Sequence, residues 1–411
     1  MTNGSQLHRA INIEIDRASW RAQPVQFRHP FPRALNQQSG PAPIHLLVML
    51  LRLGELTTPV LNVQSDVARL WPLLRYLHAI AETPGFRFRS AWVDTDRHQK
   101  VIASDDLGVG LGMSVLYGAF NYSACVYGRA FLHRLSQLGL LAFRGGKPPK
   151  VGSMKTADFA ALDSTGKYHL IECKGTQDSR TALLTAMSNG VPQKQSLVCG
   201  TTGAERRLIA QRLVIGTHLM LENSTRSTTV RITDPAPVGE DPTTLAPRVA
   251  TSAFIEPAIR LELARALGTA GAVRTAAAIA ESDRRAEAPA LTGVAPRNRA
   301  QRALDLDEPE LERFDEFGQA WIGERVTMPL LEPFQYGDEI YRFARMTKGV
   351  SIDVVGELRE GAASTPLFQE RYPAITGRLG PAKVIAGDAD ASIIRPAISL
   401  SSVELLKKRT G

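Results

Sequence analysis

Cysteine is scarce in this 411-residue chain, with Cys125, Cys173 and Cys199 the three present. So few exclude a disulfide-built scaffold, and the lack of any C-x-x-C pair excludes a zinc ribbon or a thioredoxin-type redox site. No G-x-x-x-x-G-K-[ST] string occurs, so a P-loop for nucleotide phosphates is missing. Long apolar runs are missing too. The longest, Pro43–Leu51 (PIHLLVMLL), falls far short of the roughly 20 residues that span a bilayer. The opening MTNGSQLHRAINIEIDR has neither an apolar stretch nor a small-residue cleavage pattern, so no secretory signal is expected. The expectation is a protein of a reducing compartment with no membrane association, most simply a cytoplasmic one.

What the chain does have is core-forming material. Hydrophobic residues make up 44% of it, enough for a sizeable interior, and the length suggests about two to three domains. Net charge is +8, and its distribution is uneven. From Leu107 to Ala157 there is no Asp or Glu, but there are six bases: Arg129, Arg134, Arg144, Lys147, Lys150 and Lys155. Residues 107–233 hold 15 Lys+Arg against 6 Asp+Glu, which accounts for the whole excess. Clustering of this kind is an electrostatic footprint for a polyanion; the plainer alternative is a solvated basic face.

Along the chain, residues 1–42 place no element. Residues 64–82 show helical spacing, with Pro72 as a kink or restart. The glycine-dense segment 104–118 has Met113 where a third glycine of G-x-G-x-x-G belongs, and reads as a flexible loop. Residues 121–141 read as a helix, followed by a Gly/Pro/Lys-rich loop. Strands are expected at 158–162, 168–173, 212–215 and 227–233, with a helical stretch around 180–190. A proline-bearing linker, 234–248, precedes an Ala- and Arg-rich helical region at 250–289. A mixed remainder includes a strand at Val350–Val355 (VSIDVV). The domain division expected is an N-terminal extension over 1–115, a core over 116–235 and a C-terminal helical and mixed region over 236–411.

The chemistry gathers at Asp158 and at the string Glu172-Cys173-Lys174. The segments DFAAL and YHLIEC read as arms of an antiparallel hairpin, because Asp163-Ser164-Thr165-Gly166-Lys167 between them has turn chemistry. Centring the turn on Thr165 pairs residues whose numbers sum to 330, which sets Asp158 opposite Glu172. Directly opposed side chains have Cβ atoms about 4.5–5.5 Å apart, and like charges there repel. Strand alternation puts Lys174 on the same face and turns Cys173 toward a core. Two adjacent carboxylates must raise a pKa or take up a cation. Mg²⁺ suits them, held by one or two carboxylates, with the backbone carbonyl of Cys173 as a further oxygen. Lys174 beside it would orient or deprotonate the attacking water, or stabilise charge on a phosphate. The competing reading is a surface hairpin with an ordinary Glu–Lys pair. The apolar run before Glu172, the glycine after Lys174 and the basic surroundings weigh against it.

The string TADFAALDSTGKYHLIECKGTQ resembles the catalytic core of the PD-(D/E)xK, or restriction-endonuclease-like, nuclease superfamily, over residues from about 117 to 235. The resemblance implies an α/β fold: a restriction-endonuclease-like core, with a mixed central sheet flanked by helices, carrying N-terminal and mostly helical or mixed C-terminal extensions. It implies divalent-metal-dependent hydrolysis of nucleic-acid phosphodiesters, DNA ahead of RNA, with Mg²⁺ and Mn²⁺ as its substitute. Asp158 and Glu172 match the metal ligands, and Lys174 the catalytic base or stabiliser. Ala157 stands where members carry proline. The acid many members place on the preceding helix is missing from 121–141, so either it is dispensable or a distant one, Asp105 or Asp106, folds in.

Members also place a Gln or Lys on the following helix. Gln193 is the catalytic candidate there, able to orient water, and Lys194 a phosphate grip, with Gln195 beside them. Lys147, Lys150, Lys155 and Arg180 complete the expected nucleic-acid-binding set. Gln177, like Arg180, lies just past Lys174 and within expected reach of the scissile strand. His218 and His133 read as structural and surface residues. The flanks fit targeting or assembly, as in bacterial defence-associated nucleases, with a separate ATPase or defence-system partner and a homo-oligomer for duplex cutting. The alternative class is a non-catalytic nucleic-acid-binding or assembly subunit that keeps the nuclease fold.

Overall fold

The computed structural model describes residues 7–22, 31–57, 67–137, 142–143, 156–163, 165–195, 197–198, 209–234, 251–280, 299–336, 338–359, 383–387, 389–395 and 399–407. Two compact units are present. One comprises Met1–Leu7, Thr57–His78 and Ile259–Gly411, the other His8–Leu56 and Ala79–Ala258. In chain order the elements are β1 (His8–Ile15), α1 (Arg17–Arg21), α2 (Arg33–Asn36), β2 (Gly40–His45), α3 (Leu46–Thr57), α4 (Val67–Tyr76), α5 (Arg97–Phe120), β3 (Ala124–Tyr127), α6 (Gly128–Gln137), β4 (Ala142–Phe143), β5 (Phe159–Leu162), β6 (Tyr168–Thr176), α7 (Arg180–Gln195), β7 (Leu197–Val198), β8 (Ile209–His218) and β9 (Thr229–Thr233). Then come α8 (Thr251–Thr269), α9 (Val273–Ala280), α10 (Arg299–Asp307), β10 (Glu312–Glu316), β11 (Gln319–Tyr336), β12 (Glu339–Ser351), α11 (Ile352–Arg359), β13 (Lys383–Ala386), β14 (Asp390–Arg395) and β15 (Ser399–Leu406).

The unit holding residues 79–258 is mixed α/β. Its seven-stranded sheet runs β2-β1-β9-β8-β6-β5-β3. The pairs β3–β5, β5–β6, β8–β9 and β1–β2 are antiparallel, while β6–β8 and β1–β9 are parallel. Two of these strands, β1 and β2, come from the stretch read as an N-terminal extension. The parallel step from β6 to β8 contains α7, since parallel neighbours need a crossover connection. That helix starts on Ser179, whose Oγ accepts the Ala182 amide at 3.1 Å. It packs Leu183 and Met187 onto Val214 of β8. The longest apolar run becomes the end of β2 and the start of α3, a helix buried from Leu46 through Leu56. A helix apolar on nearly all sides has nowhere else to go.

The glycine-dense segment is not a loop. It lies inside α5, which begins at Asp96, whose carboxylate accepts the His98 amide at 2.7 Å. The helix ends at Asn121, held in the left-handed region at φ 54°. Glycine costs a helix about 1 kcal/mol per residue, but packing offsets it here. A Cβ on Gly112 would lie 2.8 Å from Ile215 of β8, and one on Gly110 2.6 Å from Met49 of α3. The expected helix over 121–141 is likewise corrected: the chain first enters the sheet as β3, then forms α6 from Gly128.

The other unit carries a six-stranded antiparallel sheet in the order β10-β11-β12-β15-β14-β13, with helices of its own. Trp321, fully buried, packs with Phe314 and Leu400 and donates Nε1–H to the Glu316 carbonyl at 3.0 Å. Asp307 ends α10 buried and accepts both the backbone N–H and the hydroxyl of Thr275 at 2.7 Å, tying α10 to α9. The strand expected at 350–355 is corrected: β12 ends at Ser351, whose Oγ accepts the Asp353 amide at 3.3 Å as α11 begins. Among the described residues no helix is long and apolar enough to cross a membrane.

Candidate active site

The hairpin β5–β6 forms with the register read from its turn. Phe159 pairs Ile171 and Leu162 pairs Tyr168. The Asp163 carboxylate organises the turn: Oδ1 accepts from the Thr165 amide at 2.8 Å, the Thr165 hydroxyl at 2.7 Å and the Lys167 amide at 3.0 Å. Gly166 supplies the positive φ of 76° that closes it. The other oxygen of Asp163 holds buried His169 at 3.2 Å, and His169 meets the Tyr122 hydroxyl at 3.1 Å. A slip of one residue would break this set and turn every side chain to the other face.

At the far end of the hairpin, one pair beyond Phe159–Ile171, stand Asp158 and Glu172. Asp158 Oδ2 accepts the Cys173 amide at 2.8 Å. Glu172 is fully buried, and Lys174 Nζ lies 2.5 Å from its Oε1. That contact is a close ammonium–carboxylate pair, which lowers the carboxyl and raises the ammonium. Cys173 points the other way and is buried. Helix α7 lies over the acidic face through Gly190, where a Cβ would sit 2.9 Å from Cγ of Glu172 and 3.3 Å from Cε of Lys174. Helix α6 begins against the main chain of Asp158, with the Gly128 amide donating to its carbonyl at 2.8 Å.

The electrostatics follow from burial. Desolvation, then the charge of Asp158, pushes Glu172 up to about 7 against the opposing pull of Lys174. Burial likewise raises Asp158, opposed by the Cys173 amide and Lys174 and aided by Asp105. Burial pulls the Lys174 ammonium down, but the carboxylates of Glu172 and Asp158 outweigh it and hold the proton more firmly than usual. Asp105, on α5, is raised by its own burial and eased by Lys174. Sequence reasoning placed the preceding helix at 121–141 and found no acid on it; the preceding long helix is α5, and Asp105 is on it, within electrostatic reach of Asp158 and Lys174.

A hard divalent cation fits this donor set. It is all oxygen, and it sets fully buried Glu172 beside part-buried Asp158, whose like charge helps push the glutamate up. Among the described residues no three His, Cys, Asp or Glu side chains are already gathered at ligating separations. Lys174 pairs with Glu172.

The other expected residues fall out as follows. Arg180 opens α7 and is engaged bidentately by Glu14 of β1, at 2.7 and 2.8 Å. Gln177 does not face the site's opening; its amide is bonded to α5. Gln193, Lys194 and Gln195 belong to the last turn of α7, and their side chains lie outside the described residues, as does that of His133. Lys147, Lys150 and Lys155 also lie outside the described residues. His218 is largely buried at the end of β8, where burial and the charges of Arg226 and Arg180 lower its pKa. Exposed Arg129 follows Gly128, whose amide bonds the Asp158 carbonyl, on the first turn of α6; it is a base that reading by spacing did not single out for the site. No family model, curated protein or solved structure matches the chain.

Proposed function

We propose that this chain is a divalent-metal-dependent endonuclease of the PD-(D/E)xK type that hydrolyses phosphodiester bonds of DNA. The observation that carries the reading is the pairing of part-buried Asp158 with fully buried Glu172 at the end of the β5–β6 hairpin, with Lys174 2.5 Å from the glutamate. A mixed sheet flanked by helices, the scaffold the resemblance implies, supports it. Asp158 and Glu172, with Asp105 from α5 as the third acid and the Cys173 carbonyl as a further oxygen, would hold Mg²⁺ or Mn²⁺. When bound, such an ion lowers the pKa of a coordinated water and offsets charge building on the phosphate.

Lys174 would orient or deprotonate the attacking water or stabilise charge on the phosphate; without metal the two carboxylates hold its proton, and a cation bound to them would loosen that hold. Arg129, exposed on the first turn of α6, together with Lys147, Lys150, Lys155 and Lys194, would grip backbone phosphates. Cutting both strands of a duplex requires two such centres, so the active form is a homo-oligomer, and a separate ATPase or defence-system component is the expected partner.

The test is incubation of supercoiled plasmid and of a matched RNA with the full chain in Mg²⁺ or Mn²⁺, with EDTA as control. Metal-dependent nicking that disappears in Asp158→Asn and Lys174→Met is the expected result. Equal nicking by wild type and Asp158→Asn overturns the proposal. Tight binding of DNA without metal-dependent cleavage favours the non-catalytic subunit.

A further inference from the structure

Helix α5 meets β6 without a side-chain cushion. A Cβ on Gly175 would overlap the Ser104 carbonyl, and one on Gly108 would lie 3.1 Å from the Gly175 Cα. Backbone on backbone, such a contact sets how close the helix comes but resists sliding poorly, because no knob enters a hole. One side chain bridges the two elements here. Gln177 Nε2 donates to the Lys100 carbonyl and to Ser104 Oγ, both at 3.0 Å, and Ser104 Oγ itself donates to Lys100 O at 2.7 Å. Asp105 is next in the chain: its backbone nitrogen would lie 3.3 Å from a Cβ on Gly175, the residue after Lys174, and its exposed carboxylate acts on the charges of Lys174 and Asp158.

We propose that Gln177 is a positioning residue: its amide clamps the Lys100–Ser104 turn of α5 to the end of β6, and so fixes where Asp105 stands relative to Asp158 and Lys174. This rests on the nuclease reading of the site and adds to it the device that delivers the third acid. Gln177 touches neither substrate nor ion. Glutamate loses the bond to the Lys100 carbonyl, which only accepts, and asparagine is one methylene too short.

The experiment uses the full chain and Mn²⁺ as the probe, with affinity measured by calorimetry in wild type, Gln177→Ala, Asp105→Asn and the double variant, and hydrogen exchange of residues 100–108 measured without metal. Removing a group that orients a ligand costs roughly 10–100-fold in metal affinity. Gln177→Ala is expected to weaken Mn²⁺ by about tenfold in the wild-type background and by nothing further on Asp105→Asn, with faster exchange across 100–108. A general loss of structure would weaken both backgrounds equally, which overturns the positioning role. Unchanged affinity or unchanged exchange in Gln177→Ala overturns it also, while leaving the nuclease reading intact. A wild type that binds no Mn²⁺ overturns the site reading itself, and the inference with it.

Discussion

Gly190 of α7 lies directly against Glu172 of β6, so closely that any Cβ would come 2.9 Å from the glutamate Cγ. The neighbour is the stem of a fully buried side chain that cannot swing aside. Alanine improves a mid-helix position by up to about 1 kcal/mol over glycine. Gly190→Ala is therefore expected to leave the melting temperature close to wild type, because propensity offsets overlap, while activity falls. A displacement near 1 Å costs on the order of 100-fold in rate. Thermal melting and nicking rates on one preparation separate the two effects; full activity in the variant would show that Glu172 has room the contact denies it.

Protonation of the acid pair should show in stability. Burial raises Glu172 to about 7 from 4.5. Below pH 4.5 the folded and unfolded chains both carry this proton, and the group's contribution is full. Between 4.5 and about 7 the folded chain keeps a proton that the unfolded one has released, so stability falls as pH rises, then levels off. The size is about 3 kcal/mol at most, at 1.36 kcal/mol per unit. Urea unfolding of the metal-free chain at pH 5 and pH 8 measures it. Glu172→Gln should flatten the difference, and millimolar Mn²⁺ at pH 8 should restabilise wild type but not the variant.

Asp105 is exposed on α5, with its carboxyl raised by partial desolvation and eased by Lys174. As third acid it should matter for metal more than for fold. Asp105→Asn is expected to weaken Mn²⁺ tenfold or more, with unfolding free energy within about 1 kcal/mol of wild type, since asparagine is isosteric and carries no desolvated charge. Equal Mn²⁺ affinity would remove Asp105 from the site and leave a two-carboxylate centre.

Arg180 is occupied by Glu14, and both are at least a quarter exposed. Exposed pairs of this kind contribute about 0–1 kcal/mol. Arg180→Ala should therefore change stability by less than about 1 kcal/mol. A free phosphate-binding arginine would lower the slope of log affinity against log salt by about 0.9. Because the guanidinium is already neutralised, the expected change is well below that, and Glu14→Gln should steepen the slope instead. Fluorescence anisotropy of a labelled duplex from 50 to 200 mM salt distinguishes these outcomes.

The hairpin was legible because everything that sets it is local. Asp163, Gly166 and the alternation on either side specify one register, and Phe159–Ile171 follows. Helix α5 was not, because its glycines are there for neighbours far away in sequence. Met49, Ile215 and Gly175 demand small residues at 110, 112 and 108, and none of that pressure is visible within the helix's own span. With the helix misread, Asp105 became a remote possibility rather than a residue on the layer next to β6. The same holds for Gln177, whose partners are more than 70 residues upstream, and for Arg180, whose partner comes from β1. The role of residues 1–42 was lost for a related reason: β1 pairs β9 over 200 residues later, and no short-range pattern announces such a strand.

The hydrogen bond from the Cys173 amide to Asp158 gives that carboxylate a second occupation. Just past the last β5–β6 backbone pair, a side-chain oxygen takes the proton that a main-chain carbonyl would otherwise receive, so Asp158 finishes the ladder as well as facing Glu172. Truncation to alanine would fray the strand end and erase the charge in one stroke, and its inactivity would be ambiguous. The amide analogue retains the acceptor and subtracts the charge alone, which makes it the cleaner instrument for dissecting chemistry from scaffold in this protein.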